Sequence, residues 1–262
     1  MAQAERSSVT IQSVERAATT LQVFFEAGSS LSFTEVVAAT GLAPATLHRL
    51  LATLLKTGWI SQDARGSRYE LSEQMLGNAA LAIASSPLLH HGHHYLTQLS
   101  DRTGLNSFLA VPIRRGSVML ARAQGRDAPS GEFQTGKTLP LHSSASGKIF
   151  LAFAPEAERQ SLLRGLGELK KITRNTIVDR EQLLEVLDEV RQRGYAFDHG
   201  ELSETYQSVA VPVRKADGRV VAALCLGGWS TSANQDIEKY LLSEIVPAGQ
   251  EFSRVYGQFD PW

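Results

Sequence analysis

The sequence predicts an α+β chain in two domains, and three observations predict it. Apolar residues recur at three- and four-residue spacing through the first third, as on short amphipathic helices. Past Gly104 the pattern changes to short runs of strand formers parted by glycine turns. Helical spacing returns between those runs and at the end, so helices and antiparallel strands share the second domain. The 262 residues, 43% hydrophobic and 20% charged, suit one large or two modest domains and exclude a disordered or collagen-like chain.

The first helix follows Ser13, read as its N-cap, with Val14, Ala17, Ala18, Leu21, Phe24 and Phe25 as its stripe and Gly28 as its stop. Thr34 is the expected cap of a second helix reaching Ala39 and closed by Gly41. A third starts at Pro44, whose fixed φ and missing N–H suit a first turn. Leu47, Leu50, Leu51, Leu54 and Leu55 form its buried stripe, and Gly58 ends it. Residues 59–61 and 67–71, parted by Ala64-Arg65-Gly66, read as a hairpin. Residues 72–84 are helical again until Ser85-Ser86-Pro87 breaks the pattern, and the domain boundary is placed there.

In the second domain a helix over 88–102 leads to an antiparallel pair, 108–113 and 118–121, turning at Arg115-Gly116. Helices follow at 144–153, 155–164 and 180–193. Strands 208–214 and 220–227 are joined through Ala216-Asp217-Gly218, a hairpin signal, and a last helix runs over 233–256.

Composition limits function. No run of about 18 uncharged apolar residues occurs, and the first ten residues are polar and charged where a secretory signal needs an apolar core, so a cytoplasmic location is expected. The single cysteine, Cys225, excludes intrachain disulfides and Cys-cluster metal sites. A net charge of −1 gives no global reason to bind nucleic acid, so that case must be local.

The local case is good. Two short helices meeting at a glycine turn, with a hairpin behind them, have the layout of a winged helix-turn-helix. With its leucines turned to the core, the third helix presents Pro44, Ala45, Thr46, His48, Arg49 and Thr53, near the end that a groove-reading helix offers to bases. The planar fork of Arg49 can pair with a guanine edge or clamp a phosphate. Across 36–71 the cations Arg49, Lys56, Arg65 and Arg68 outnumber the acids Asp63 and Glu70, and Arg65 and Arg68 on the hairpin are the expected phosphate contacts. The alternative is a small-molecule-binding module whose helical N-terminus recruits a protein. One reading module with few cations falls short of regulatory affinity, so the active species is expected to be an even oligomer on a two-fold site. The 72–84 helix, with Leu76, Ala79, Ala80 and Ile83, is the expected spacer and part of that contact.

The run Leu42-Ala43-Pro44-Ala45-Thr46-Leu47-His48-Arg49-Leu50-Leu51-Ala52-Thr53-Leu54, followed by Gly58-Trp59-Ile60, resembles the reading helix and wing entry of IclR-type bacterial transcriptional regulators. Leu141-His142-Ser143-Ser144-Ala145-Ser146-Gly147-Lys148, Gly194-Tyr195-Ala196-Phe197-Asp198 and Ala210-Val211-Pro212-Val213 follow in the family's order. The resemblance implies a winged helix-turn-helix DNA-binding domain at 10–72, a linker helix at 73–86 and a GAF/PAS-like effector-binding and oligomerisation domain at 87–258. It implies operator DNA, a small organic acid and a homodimer or homotetramer as partners, with RNA polymerase as a further one, and no cofactor.

Enzyme readings fail on the residues. Ser146-Gly147-Lys148 resembles the tail of a phosphate-binding loop, but His142 stands where a glycine is needed and Ile149 where Ser or Thr is needed. His142, Ser144 and Asp198 suggest a hydrolase, yet there is no Gly-x-Ser-x-Gly elbow and Ala145 breaks a Ser-x-x-Lys. Residues 143–147 fit better as a helix start whose free N–H groups favour an anion. His90 and His94 share a helix face without the further ligands a metal needs, and Cys225 reads as a small core residue.

By resemblance the effector pocket is lined by Ala145, Ser146, Asp198, Ser208, Cys225 and Gly227. Small residues at 145 and 227 are expected to leave room for an aromatic or medium-sized carboxylate. Asp198 would repel that charge and is assigned to a hydroxyl or a structural bond. His199-Gly200 and Thr205 depart from the family's pattern of acidic residues and glycine.

Overall fold

The computed structural model describes residues 10–128, 134–229 and 235–258. The chain divides into two compact units between Ser85 and Ser86.

The first unit runs α1 (Gln12–Ala27), β1 (Leu31–Ser32), α2 (Phe33–Thr40), α3 (Pro44–Lys56), β2 (Ile60–Gln62), β3 (Arg68–Leu71) and α4 (Glu73–Ala84). Phe24, Val36, Leu47, Leu51, Leu54, Ile60 and Tyr69 form its buried core, so Leu47, Leu51 and Leu54 of α3 face inward as their spacing predicts and Leu55 packs at the edge. Leu50, expected in the same stripe, is instead half-buried and lines a groove beside α1. Two expected caps are displaced. Ile11, not Ser13, is the N-cap of α1 and makes no side-chain cap bond. Ser32, not Thr34, caps α2 in a reciprocal box, because Glu35 three residues on returns its carboxylate to the Ser32 N–H at 2.7 Å. The α2–α3 turn needs Gly41, whose φ of 65° lets its N–H reach Val37 O at 2.9 Å. β3 lies between β1 and β2, antiparallel to both; the two-residue β1 carries no strand signal in the sequence. Ser72 caps α4 through the Met75 N–H, and α4 buries no residue.

The second unit runs α5 (Pro87–Thr103), β4 (Asn106–Ile113), β5 (Gly116–Ala123), β6 (Thr138–Leu139), α6 (Ala145–Phe153), α7 (Glu156–Gly165), α8 (Arg180–Arg193), β7 (Ala196–Ser203), β8 (Tyr206–Arg214), β9 (Val220–Trp229) and α9 (Gln235–Gln258). The six strands form one antiparallel sheet in the order β6-β5-β4-β9-β8-β7. Side chains alternate across it. Phe108, Ala110, Ala196, Ala210, Ala223 and Cys225 pack with α6 and α8. Leu109, Phe197, Val209, Val211, Leu224 and Leu226 pack with α5 and α9. β6 and β7 are additions to the expected strands, and the expected start of the last helix at residue 233 lies outside the described residues. No helix among the described residues is long and apolar enough to cross a membrane.

Candidate DNA interface and effector pocket

Pro44 opens α3 as its first-turn residue, and Pro44, Ala45, His48, Arg49 and Thr53 are exposed while Thr46 is half-buried. The His48 ring leans on Phe33 at the start of α2, with centroids 4.9 Å apart, which restrains it. Thr53 spends its hydroxyl proton on the Arg49 carbonyl at 2.8 Å. The Arg49 guanidinium has no hydrogen bond or ion pair among the described residues and stands free for an external partner. Thr46, Arg49 and Thr53 share a groove of about 520 Å³ with Gln12, Ser13 and Arg16 of α1. Those α1 residues were not legible as interface, because the helical pattern shows only which face packs.

The two wing arginines differ. Arg65 is exposed in the β2–β3 turn. That turn is clamped by Asp63, whose carboxylate accepts the Ser67 and Arg68 N–H groups at 2.7 and 3.0 Å; these bonds lower its pKa. Arg68 turns back into the protein. Its guanidinium donates to Ser30 Oγ at 3.0 Å, to the Ser30 carbonyl at 2.6 Å and to Glu35 at 3.1 Å, so it ties the wing to the start of α2.

In the second unit the sheet register aligns three of the six expected pocket residues. Asp198 pairs with Ser208, and Ser208 with Gly227, in one row across β7, β8 and β9. Cys225 lies two residues along β9 on the same face, wholly buried in the cluster that holds Ala145 and Tyr206. Burial pushes its thiol pKa well up, so it behaves as a small apolar side chain. Ser146 makes a different contact: its Oγ pairs with Ser117 Oγ of β5 at 3.0 Å, and β5 lies two strands beyond β9 in the sheet.

The room expected over Gly227 is taken. A Cβ there would lie 2.7 Å from Tyr206 Cζ, so the phenol, not open space, covers the glycine. Sequence reading missed Tyr206 because only pairing across β7–β9 puts it there.

Asp198 makes the structural bond. Its Oδ1 accepts the N–H groups of Glu201 at 2.6 Å and Leu202 at 3.3 Å, closing the irregular turn of β7. Burial raises its pKa to about 7 against the opposing pull of those N–H groups and Lys148. Lys148 of α6 donates to Phe197 O at 2.9 Å and pairs with Glu201, both side chains almost wholly buried. At the start of α6, Ser144 Oγ accepts the Gly147 N–H at 3.0 Å, leaving the Ala145 and Ser146 N–H groups as the uncapped donors of the first turn. Among the described residues no group of three or more His, Cys, Asp or Glu is placed to hold a metal; His90 and His94 are exposed on α5.

A helix-turn-helix unit with a braced hairpin, joined in one chain to a helix-flanked antiparallel sheet, has the architecture of a transcriptional regulator. Residues 13–64 match the IclR helix-turn-helix domain, and residues 80–254 match the domain described as bacterial transcriptional regulator IclR C-terminal. The chain belongs to the IclR family of bacterial transcriptional regulators. It is 33% identical over 247 residues to the HTH-type transcriptional regulator XynR of Escherichia coli (strain K12), covering 94% of this chain and 98% of that one. A crystal structure of an IclR family transcriptional regulator from Brucella abortus superposes with a TM-score of 0.81 at 25% identity, over 96% of this chain and 94% of the other. An IclR homolog from Microbacterium hydrocarbonoxydans, crystallised with 4-hydroxybenzoate, shares the fold with a TM-score of 0.67 at 22% identity, over 93% and 100% of the two chains. XynR and the Brucella abortus protein are transcriptional regulators.

Proposed function

We propose that the chain is a ligand-responsive regulator that binds operator DNA as a dimer or tetramer and releases or rearranges on it when a small organic acid binds. The observation that carries this reading is the exposed face of α3, where Ala45, Thr46, Arg49 and Thr53 stand clear of the leucine core and Arg49 is uncommitted. Residues 10–72 read DNA, 73–86 link and 87–258 take the effector. α4 supports the oligomer, because Leu76, Leu81 and Ile83 are 63%, 70% and 49% exposed on a helix that buries nothing in its own unit.

The effector reading rests on Ala145, Ser146, Asp198, Ser208, Cys225 and Gly227, with the free N–H groups of α6 as the acceptors of its charge. An aromatic carboxylate must displace the Tyr206 phenol or sit beside it. Its binding must favour one arrangement of the paired DNA-binding domains over the other, or it changes nothing. Anisotropy of a labelled promoter fragment, titrated against protein at several salt concentrations and then with 4-hydroxybenzoate and other carboxylates, tests the reading. Binding that weakens steeply with salt and shifts with one acid supports it; no retention of any promoter fragment over competitor DNA refutes it.

A further inference from the structure

The β4–β5 turn, the segment entering α6, and α7 enclose a groove of about 530 Å³, within the range of small-molecule sites. Arg114, Arg115 and Lys170 line it against one carboxylate, Glu168, while Leu141, Leu162 and Leu166 give it apolar wall. Several other arginines of this unit are committed to partners. Arg102, Arg159, Arg219 and Arg254 each hold a carboxylate, and Arg180 and Arg191 donate to backbone carbonyls. Arg114, Arg115 and the Lys170 ammonium have no such partner among the described residues. Adjacent uncompensated guanidiniums around a concave surface concentrate positive potential, which a dianion relieves.

The groove is also joined to α6. His142, which lines it, donates its Nε2–H to the Lys170 carbonyl at 3.0 Å. Two residues on, Ser144 donates to Pro140 O at 2.6 Å and caps α6 through Gly147. Gly147 itself is pressed on this segment: a Cβ there would lie 2.5 Å from Leu141 Cα. The residues that wall the groove therefore seat the N-terminus of α6.

We propose that this groove binds a small dianion, a phosphomonoester or a dicarboxylate, as a second ligand site separate from the Asp198–Ser208–Gly227 row. Arg114 and Arg115 take the acid groups in paired charge-assisted hydrogen bonds, Lys170 adds a point charge, and occupancy loads the turn that holds α6. Calorimetric titration of the full chain with 2-phosphoglycolate and with succinate, against glycolate as the monoanion, tests this. At least one dianion should bind saturably and glycolate much more weakly, and the dianion that binds identifies the source. Affinity should fall at least about tenfold in the Arg114→Gln/Arg115→Gln variant and severalfold in Lys170→Gln, but stay unchanged in Asp198→Asn. The proposal is overturned if neither dianion binds, or if both bind the double arginine variant as wild type. Loss in Asp198→Asn with retention in the arginine variant also overturns it, and leaves the effector reading of the Asp198 row intact.

Discussion

Tyr206 covers Gly227: the phenol of one strand lies where the first side-chain carbon of its neighbour would be, with Cζ 2.7 Å from that position. Gly227 is therefore needed for packing as well as for any pocket. Gly227→Ala should lower stability by about 1–3 kcal/mol through overpacking. In a double-mutant cycle with Tyr206→Ala the losses should be less than additive, because the clash has no partner once the ring is gone. Urea unfolding of the four proteins reads this; strict additivity would show that the contact is absent.

The Lys148–Glu201 pair lies in the interior, with side chains 2% and 5% exposed. Lys148→Met should cost about 3–5 kcal/mol, because it strands a buried carboxylate. Adding Glu201→Leu should return most of that loss. A double variant as unstable as the sum of its parts, by urea unfolding, would show that the pair is not coupled.

The pH dependence follows from Asp198. Its folded pKa of about 7 exceeds the unfolded value of 3.8, so the folded state binds the extra proton in between. This contribution to stability is full below the unfolded pKa and is lost as pH rises to about 7. Wild type should lose stability relative to Asp198→Asn over that window, since Asn keeps an oxygen for the Glu201 and Leu202 N–H groups. Parallel stability curves for the two proteins would refute the shift.

The parts of the fold readable in the sequence are those fixed by local pattern. Leu47, Leu51 and Leu54 of α3 and the Gly41 stop act where the sequence places them, because helix phase and a glycine stop are set within a few residues. The caps expected at Ser13 and Thr34 fall instead at Ile11 and Ser32. β1 and β6 were invisible, since two-residue strands exist only through their partners. β7 was hidden by Asp198, His199, Gly200 and Glu201, a polar run that reads as a loop until β8 pairs with it and Asp198 closes its turn. The Asp198–Ser208–Gly227 row came from the family resemblance, because sheet register is not a local property. Arg68 shows the same limit: counting charges along the chain could not reveal that Ser30 and Glu35 wait for it some 33 to 38 residues earlier.

That difference separates the wing arginines. Arg65→Ala should reduce the salt slope of DNA binding by about one and weaken all sequences alike, leaving stability unchanged. Arg68→Ala should lower the melting temperature of the N-terminal unit, because it frees the wing from Ser30 and Glu35. Its effect on DNA should follow from that loosening. If Arg68→Ala melts like wild type while Arg65→Ala does not, the assignments are reversed.

The central claim is that α3 reads DNA through Arg49, and specific against nonspecific affinity of Arg49→Ala at one fixed salt concentration tests it most directly. Losing a charge-assisted base contact costs about 1–3 kcal/mol per half-site, counted twice in a dimer. The account predicts near-complete loss of operator preference with unchanged folding and unchanged ligand binding in the second unit. Operator affinity within about twofold of wild type, well below the tenfold that 1.4 kcal/mol represents, would contradict it.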